Sequence, residues 1–166
     1  LKDFSQPSYY ANNNFRKKWH DFFSDKLKKG EEIFVELVGY TGDDALIMGQ
    51  HSTDGCDKEI AKKYGKTVRY TYGTEQGQCD CYVYRMNMTN EDGYVVEYTT
   101  EQVKQICLDM GVKFVPILKE FTYQSVDDLK EVITMANEDC TLFPEHPREG
   151  VVVRITDRDV IVDINA

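Results

Sequence analysis

Apolar residues recur with helical spacing from 14 to 28, where Phe15, Trp19, Phe22, Phe23 and Leu27 form one stripe. Asn14 can cap that helix, and Gly30 ends it. The period then shortens to two. Residues 32–38 read as a strand, 39–44 as a loop and 45–48 as a short strand, followed by a polar, Lys-rich segment from His51 to Lys66 with a short helix over 57–64. Strand patterns return over 67–72 and 79–86, and the turn Asn90-Glu91-Asp92-Gly93 sends Tyr94–Tyr98 back as an antiparallel partner. Thr99-Thr100-Glu101-Gln102 is a capping box for a helix that buries Val103, Ile106, Cys107 and Met110 and stops at Gly111. A strand over 112–118 precedes a helix capped by Ser125, with Asp128 three residues on and an inner stripe of Val126, Leu129, Val132, Ile133 and Ala136. A polar loop from Glu138 to Arg148 leads to strands over 151–155 and 159–164, turning at Asp157-Arg158. Together these predict one α+β domain over 1–166, with antiparallel-rich sheets and interspersed helices.

Composition narrows the class. The 166 residues are 41% hydrophobic, enough for a core, and four Pro with eleven Gly exclude a fibrous or low-complexity chain. No run approaches the about twenty apolar residues of a membrane span, so no membrane partner is expected. The net charge of −9 disfavours non-specific binding to a polyanion. Basic clusters remain at Arg16, Lys17 and Lys18, at Lys26, Lys28 and Lys29, and at Lys58, Lys62, Lys63, Lys66 and Arg69, each of which reads first as solvated surface. Five scattered Cys form no disulfide framework, and Cys79-x-Cys81 lacks the companions of a zinc site, so reduced, mostly buried cysteines and a cytoplasmic protein are expected. The start, Leu1-Lys2-Asp3-Phe4, points to a fragment of a longer chain.

Few residues stand out for chemistry. Glu36 lies among Phe34, Val35, Leu37 and Val38, and strand alternation sends it to the face of Phe34 and Val38, opposite Val35 and Leu37. A lone acid there needs a cleft, a cation or a donor; the plainer reading is an edge-strand acid facing water. Glu149 precedes the run Val151-Val152-Val153, where a loop-to-sheet junction can aim it at a metal, and Arg154 follows on the opposite strand face. Tyr82 and Tyr84 share a face with Asp80; a strand aromatic can stack on a base, worth about 1–3 kcal/mol, or pack as sheet core. Asp54-Gly55 imitates the end of a nucleophile motif, but Ser52 stands where lysine is required. The three His, at 20, 51 and 146, show no metal-binding spacing, and no Rossmann or P-loop glycine pattern occurs.

Several stretches, in order along nearly the whole chain, resemble the adenylation domain of the ATP-dependent RNA ligases, most closely those of phage type. Ile33–Tyr40 resembles the family's third motif, with Glu36 at the acidic position, and Tyr72-Gly73-Thr74-Glu75 through Arg85 resembles the following aromatic strand. Thr100–Pro116 resembles the next helix and strand, and Glu149–Arg154 the fourth motif. The resemblance implies a partial nucleotidyltransferase (ATP-grasp-like ligase) fold using ATP and Mg, with RNA ends as partners. In such enzymes a lysine attacks the α-phosphate of ATP, AMP passes to an RNA 5′-phosphate, and a 3′-hydroxyl displaces it. It further implies that Glu36 contacts the ribose or supports the lysine, that Tyr82 stacks near adenine with Tyr84 as alternative, that Glu149 places the cation, and that Arg154 contacts phosphate or RNA. No Lys-x-Asp-Gly occurs in these residues, and Val160–Asn165 carries none of the lysines of the family's closing strand. An upstream segment carrying the lysine is therefore expected, and the isolated chain is expected to be inactive. The competing readings are a catalytically inactive nucleic-acid or protein binding module, and a structural domain whose acids are all surface groups.

Overall fold

A computed structural model of the chain describes residues 14–42, 44–56 and 58–155. Helix α1 (Asn14–Ser24) leads to β1 (Glu31–Gly39); β2 (Gln50–Ser52), α2 (Lys58–Tyr64) and β3 (Thr67–Arg69) form a small unit; β4 (Cys79–Thr89), β5 (Val95–Glu97), α3 (Thr100–Met110), β6 (Lys113–Phe114) and α4 (Val126–Ala136) follow. The main sheet runs β1-β4-β5, with β6 added to β4; β1 and β5 are antiparallel to β4 and β6 is parallel to it. β2 and β3 make a separate antiparallel pair. This is the α+β class predicted from the pattern.

The core lies on one face of the main sheet. Ile33, Val35 and Leu37 of β1 and Cys81, Val83 and Met86 of β4 pack with Trp19, Phe22 and Phe23 from α1 and with Val103, Ile106, Cys107 and Met110 from α3. Strict alternation from Cys81 would bring Arg85 to that face. A bulge prevents it: Phe34 pairs with Arg85 and Val35 with Val83, so Tyr84 is an extra residue and Met86 takes the core position. Burial pushes the Cys81 thiol up to about 12 and the Cys107 thiol to about 11, so both serve as neutral core groups. All five cysteines are free; Cys81, Cys107 and Cys140 are buried, Cys79 is half-buried and Cys56 is exposed.

Local signals end α3 and β1 where the sequence places them, whereas the first helix stops at Ser24, short of the expected 14–28. The capping box on α3 joins Thr99 and Gln102, and Gly111 closes the helix in the left-handed region at φ 70°. Gly39 ends β1 at φ 96°, and a Cβ there would stand 2.7 Å from the Gln78 carbonyl oxygen. That close approach lets Tyr40 N–H bond to Gln78 O at 2.8 Å and directs the chain away from the sheet.

Several expectations need correction. Residues 45–48 form no strand; Leu46 makes only an isolated bridge to Tyr40. The strand over 112–118 shrinks to Lys113–Phe114, which pair with Tyr82 and Val83; Pro116 has no N–H to continue the ladder, and β5 pairs with Asn87–Thr89 farther along β4. His51 belongs to a strand, β2, inside the segment read as polar. The α4 stripe is not an inner one: Val126 and Ile133 are 63% and 65% exposed, and no residue of α4 is buried. The core face is already occupied by α1 and α3. Loop contacts hold α4 instead, with the Arg148 guanidinium donating to the Met135 carbonyl at its C-terminal end and Lys119 donating to Glu131 at 2.6 Å. Residues 151–155 form no strand, and the hairpin and strand expected beyond them lie outside the described residues.

Replacing Met86, which has no exposure, by Ala is expected to cost about 2–5 kcal/mol of folding free energy. Val152→Ala, at a site 87% exposed, should stay within about 0.5 kcal/mol. Urea unfolding of the two variants checks the assignment of the core.

Candidate functional site

The sheet face opposite the core carries a row of candidate side chains. Glu36 of β1 is the direct cross-strand partner of Tyr82 of β4, and Tyr82 is the partner of Lys113 of β6. Paired residues project to the same face, so an acid, an aromatic ring and a cation lie side by side. Lys113 donates to Asp80 at 2.6 Å, and its Nζ stands 5.3 Å from the Tyr82 ring centroid. The bond to Asp80 is the main cause that holds the Lys113 ammonium above its ordinary pKa. Tyr82 is only 7% exposed, while Tyr84, pushed out by the bulge, is 40% exposed. Tyr84 lies 6.3 Å from Phe34, whose ring carries the Arg85 guanidinium at 3.8 Å.

The second half of the site comes from loops. Glu149, at the end of the loop after α4, accepts a hydrogen bond from the Tyr72 hydroxyl. Its charge also reaches Glu36 on β1. The surrounding protein first, and the Glu149 carboxylate second, raise the Glu36 pKa above its ordinary 4.5. Glu36 remains exposed. The same loops line a cavity of about 250 Å³ whose walls include His51, Tyr70, Arg148 and Glu149. Burial and then Glu149 also push the Tyr70 hydroxyl up.

Register brings Glu36 and Tyr82 to one face of the sheet, while Glu149 is held in the loops by Tyr72. Arg154 is placed differently. Its guanidinium donates to the Tyr84 carbonyl at 2.6 Å and pairs with Glu97. It thereby ties residues 151–155 to β4 and β5. Lys63 of the third basic cluster pairs with Asp139 at 2.5 Å, while Lys58, Lys62, Lys66 and Arg69 are exposed. Sequence reasoning missed Lys113 and Tyr72. Both lay within stretches that carried the resemblance, but a two-residue parallel pairing and a contact between distant loops leave no periodic trace.

The donor set suits a hard divalent cation. Carboxylate oxygens such as those of Glu36 and Glu149 are the donors that an oxygen-preferring ion takes. Magnesium commonly takes one or two carboxylates and completes its shell with water and phosphate oxygens. Among the described residues, no group of three or more His, Cys, Asp or Glu is placed to cage a metal. Protein ligands alone would therefore leave most of the shell to substrate and water. No helix among them is long and apolar enough to cross a membrane.

The raised Glu36 pKa has a definite sign in stability. The folded chain holds this proton to higher pH than the unfolded chain, so ionised Glu36 weakens folding above its folded pKa. The penalty fades as pH falls toward the unfolded value near 4.5. Glu36→Gln is expected to gain stability over the parent at about pH 7 and to lose that advantage by about pH 4, with solvent screening keeping the effect modest. Urea titrations at both pH values read it; a difference independent of pH would contradict the coupling.

A family model described as RNA ligase matches residues 2–163 of the chain. No curated protein matches it, and no solved structure does. The family match spans nearly the whole sequence and agrees with the mixed sheet and the order of the signature stretches. The chain belongs to the RNA ligase family.

Proposed function

We propose that this chain supplies the nucleotide-binding face of an ATP-dependent RNA ligase adenylation domain. In the intact enzyme it would join RNA 5′-phosphate and 3′-hydroxyl ends through enzyme-AMP and RNA-adenylate intermediates. The observation that supports the reading is the row of Glu36, Tyr82 and Lys113, set side by side by strand register on the sheet face opposite the core. Glu36 would accept a hydrogen bond from the ribose or orient the lysine, and Glu149 would hold a divalent cation. Magnesium, when bound, offsets phosphate charge and orients the leaving pyrophosphate. Tyr82 would border the adenine from its buried position, with the more exposed Tyr84 as the alternative stacking surface. Lys113, beside Tyr82, adds a cation to a face otherwise rich in acids. Arg154 would meet phosphate or RNA only after leaving Glu97.

These residues position and neutralise; they do not provide the covalent nucleophile. With no Lys-x-Asp-Gly among the 166 residues, adenylylation needs a lysine from outside them. The second reading, a catalytically inactive binding module for nucleic acid or protein, rests on the same absence.

Calorimetric titration of the 166-residue chain with ATP and Mg²⁺ tests the proposal. Saturable binding is expected, weakened about tenfold or more by Glu36→Ala and by Glu149→Gln, with no gain of AMP in intact mass. No ATP binding, or binding indifferent to both substitutions, would favour the binding-module reading. A one-AMP gain would overturn the assignment of the nucleophile to other residues.

A further inference from the structure

His146 is a buried polar residue that the proposed chemistry leaves unused. It is 2% exposed and sits in an aromatic cage, with ring centroids of Tyr70 and Tyr72 at 5.0 Å and of Phe143 at 5.7 Å. Both ring nitrogens are engaged. Nε2 accepts the Tyr72 backbone N–H at 3.3 Å, and Nδ1 lies 2.9 Å from the Pro147 carbonyl oxygen. A carbonyl can only accept, so Nδ1 carries the proton; Nε2, as acceptor, carries none. The contacts therefore select the neutral Nδ1–H tautomer.

The backbone that His146 holds is an unusual one. Tyr72 has φ 55° and Gly73 has φ 76°, two successive residues in the left-handed region. Glycine adopts that conformation freely, but a bulky aromatic stays there only where its surroundings impose it. Here the imposed turn has a visible product: the Tyr72 hydroxyl reaches the Glu149 Oε2. The loop carrying His146 and Glu149 is thus fastened to Tyr72 twice, once at the backbone and once at the side chain.

We propose that Tyr72 and His146 are a positioning pair that sets the Glu149 carboxylate for a divalent cation. The inference rests on the reading of Glu149 given above. Tyr72 occupies one carboxylate oxygen as a neutral donor, and among the described residues Glu149 has no cationic partner. His146 acts one step further away, through the Tyr72 backbone, by holding the turn from which the hydroxyl reaches Glu149.

The test is the gain in ATP affinity that Mg²⁺ brings, measured as the ratio of dissociation constants in EDTA and in Mg²⁺ on the 166-residue chain. Tyr72→Phe keeps the ring and the cage, and is expected to cut that ratio about tenfold. His146→Leu should lose the gain similarly, and His146→Gln, which offers an amide acceptor to the Tyr72 N–H, should retain more of it. Thermal unfolding of each variant separates loss of fold from loss of position, and Tyr72→Phe carries the test if the His146 variants unfold. If Glu149→Gln abolishes the gain and Tyr72→Phe leaves it intact, the positioning pair is overturned while the role of Glu149 stands. If Glu149→Gln keeps the gain, or the parent shows none, the reading of Glu149 fails and the pair falls with it.

Discussion

Strand β4 is the element on which the rest depends, because every other strand of the main sheet is hydrogen-bonded to it. Its register fixes two things together. On one face Cys81, Val83 and Met86 meet the residues of α1 and α3, and this burial provides the main driving force of the domain. On the other face the same register makes Glu36, Tyr82 and Lys113 neighbours. The core therefore positions the site directly: a one-residue slip would expose the apolar face and disperse the row.

Electrostatics then joins sheet and loops. The chain carries an excess of acids, and at Glu36 burial first and the Glu149 charge second disfavour ionisation. Such an arrangement opposes stability in the free protein and favours it once positive charge arrives, the usual trade between a relaxed fold and a prepared site. Membership in the RNA ligase family gives that arrangement a chemical context, since phosphoryl chemistry requires charge to be offset at fixed points.

Much of this was legible in the sequence. The capping boxes at Thr99 and Ser125 mark the starts of α3 and α4, and the alternation in β1 assigns Glu36 to the correct face, because both signals are local. Legibility ended where contacts between distant residues decide. The apolar stripe of α4 has the right spacing for burial, yet the sheet face it would cover is already taken. Residues 151–155 read as a strand from their valines, but Arg154 instead binds the Tyr84 carbonyl and Glu97 and holds the segment as an irregular strap. The left-handed turn at Tyr72 has no sequence signal of its own beyond the glycine that follows it.

The bulge in β4 carries one more consequence. Removing Tyr84 on paper leaves Val83 and Arg85 adjacent, with their partners Val35 and Phe34 already adjacent on β1. The ladder becomes regular, and Cys81, Val83 and Met86 keep their common face. The strand's apolar phase therefore does not require this residue. Tyr84 is supernumerary to the architecture, a side chain whose identity the core leaves unconstrained and whose surroundings, Phe34 with its overlying Arg85, are those of the cleft.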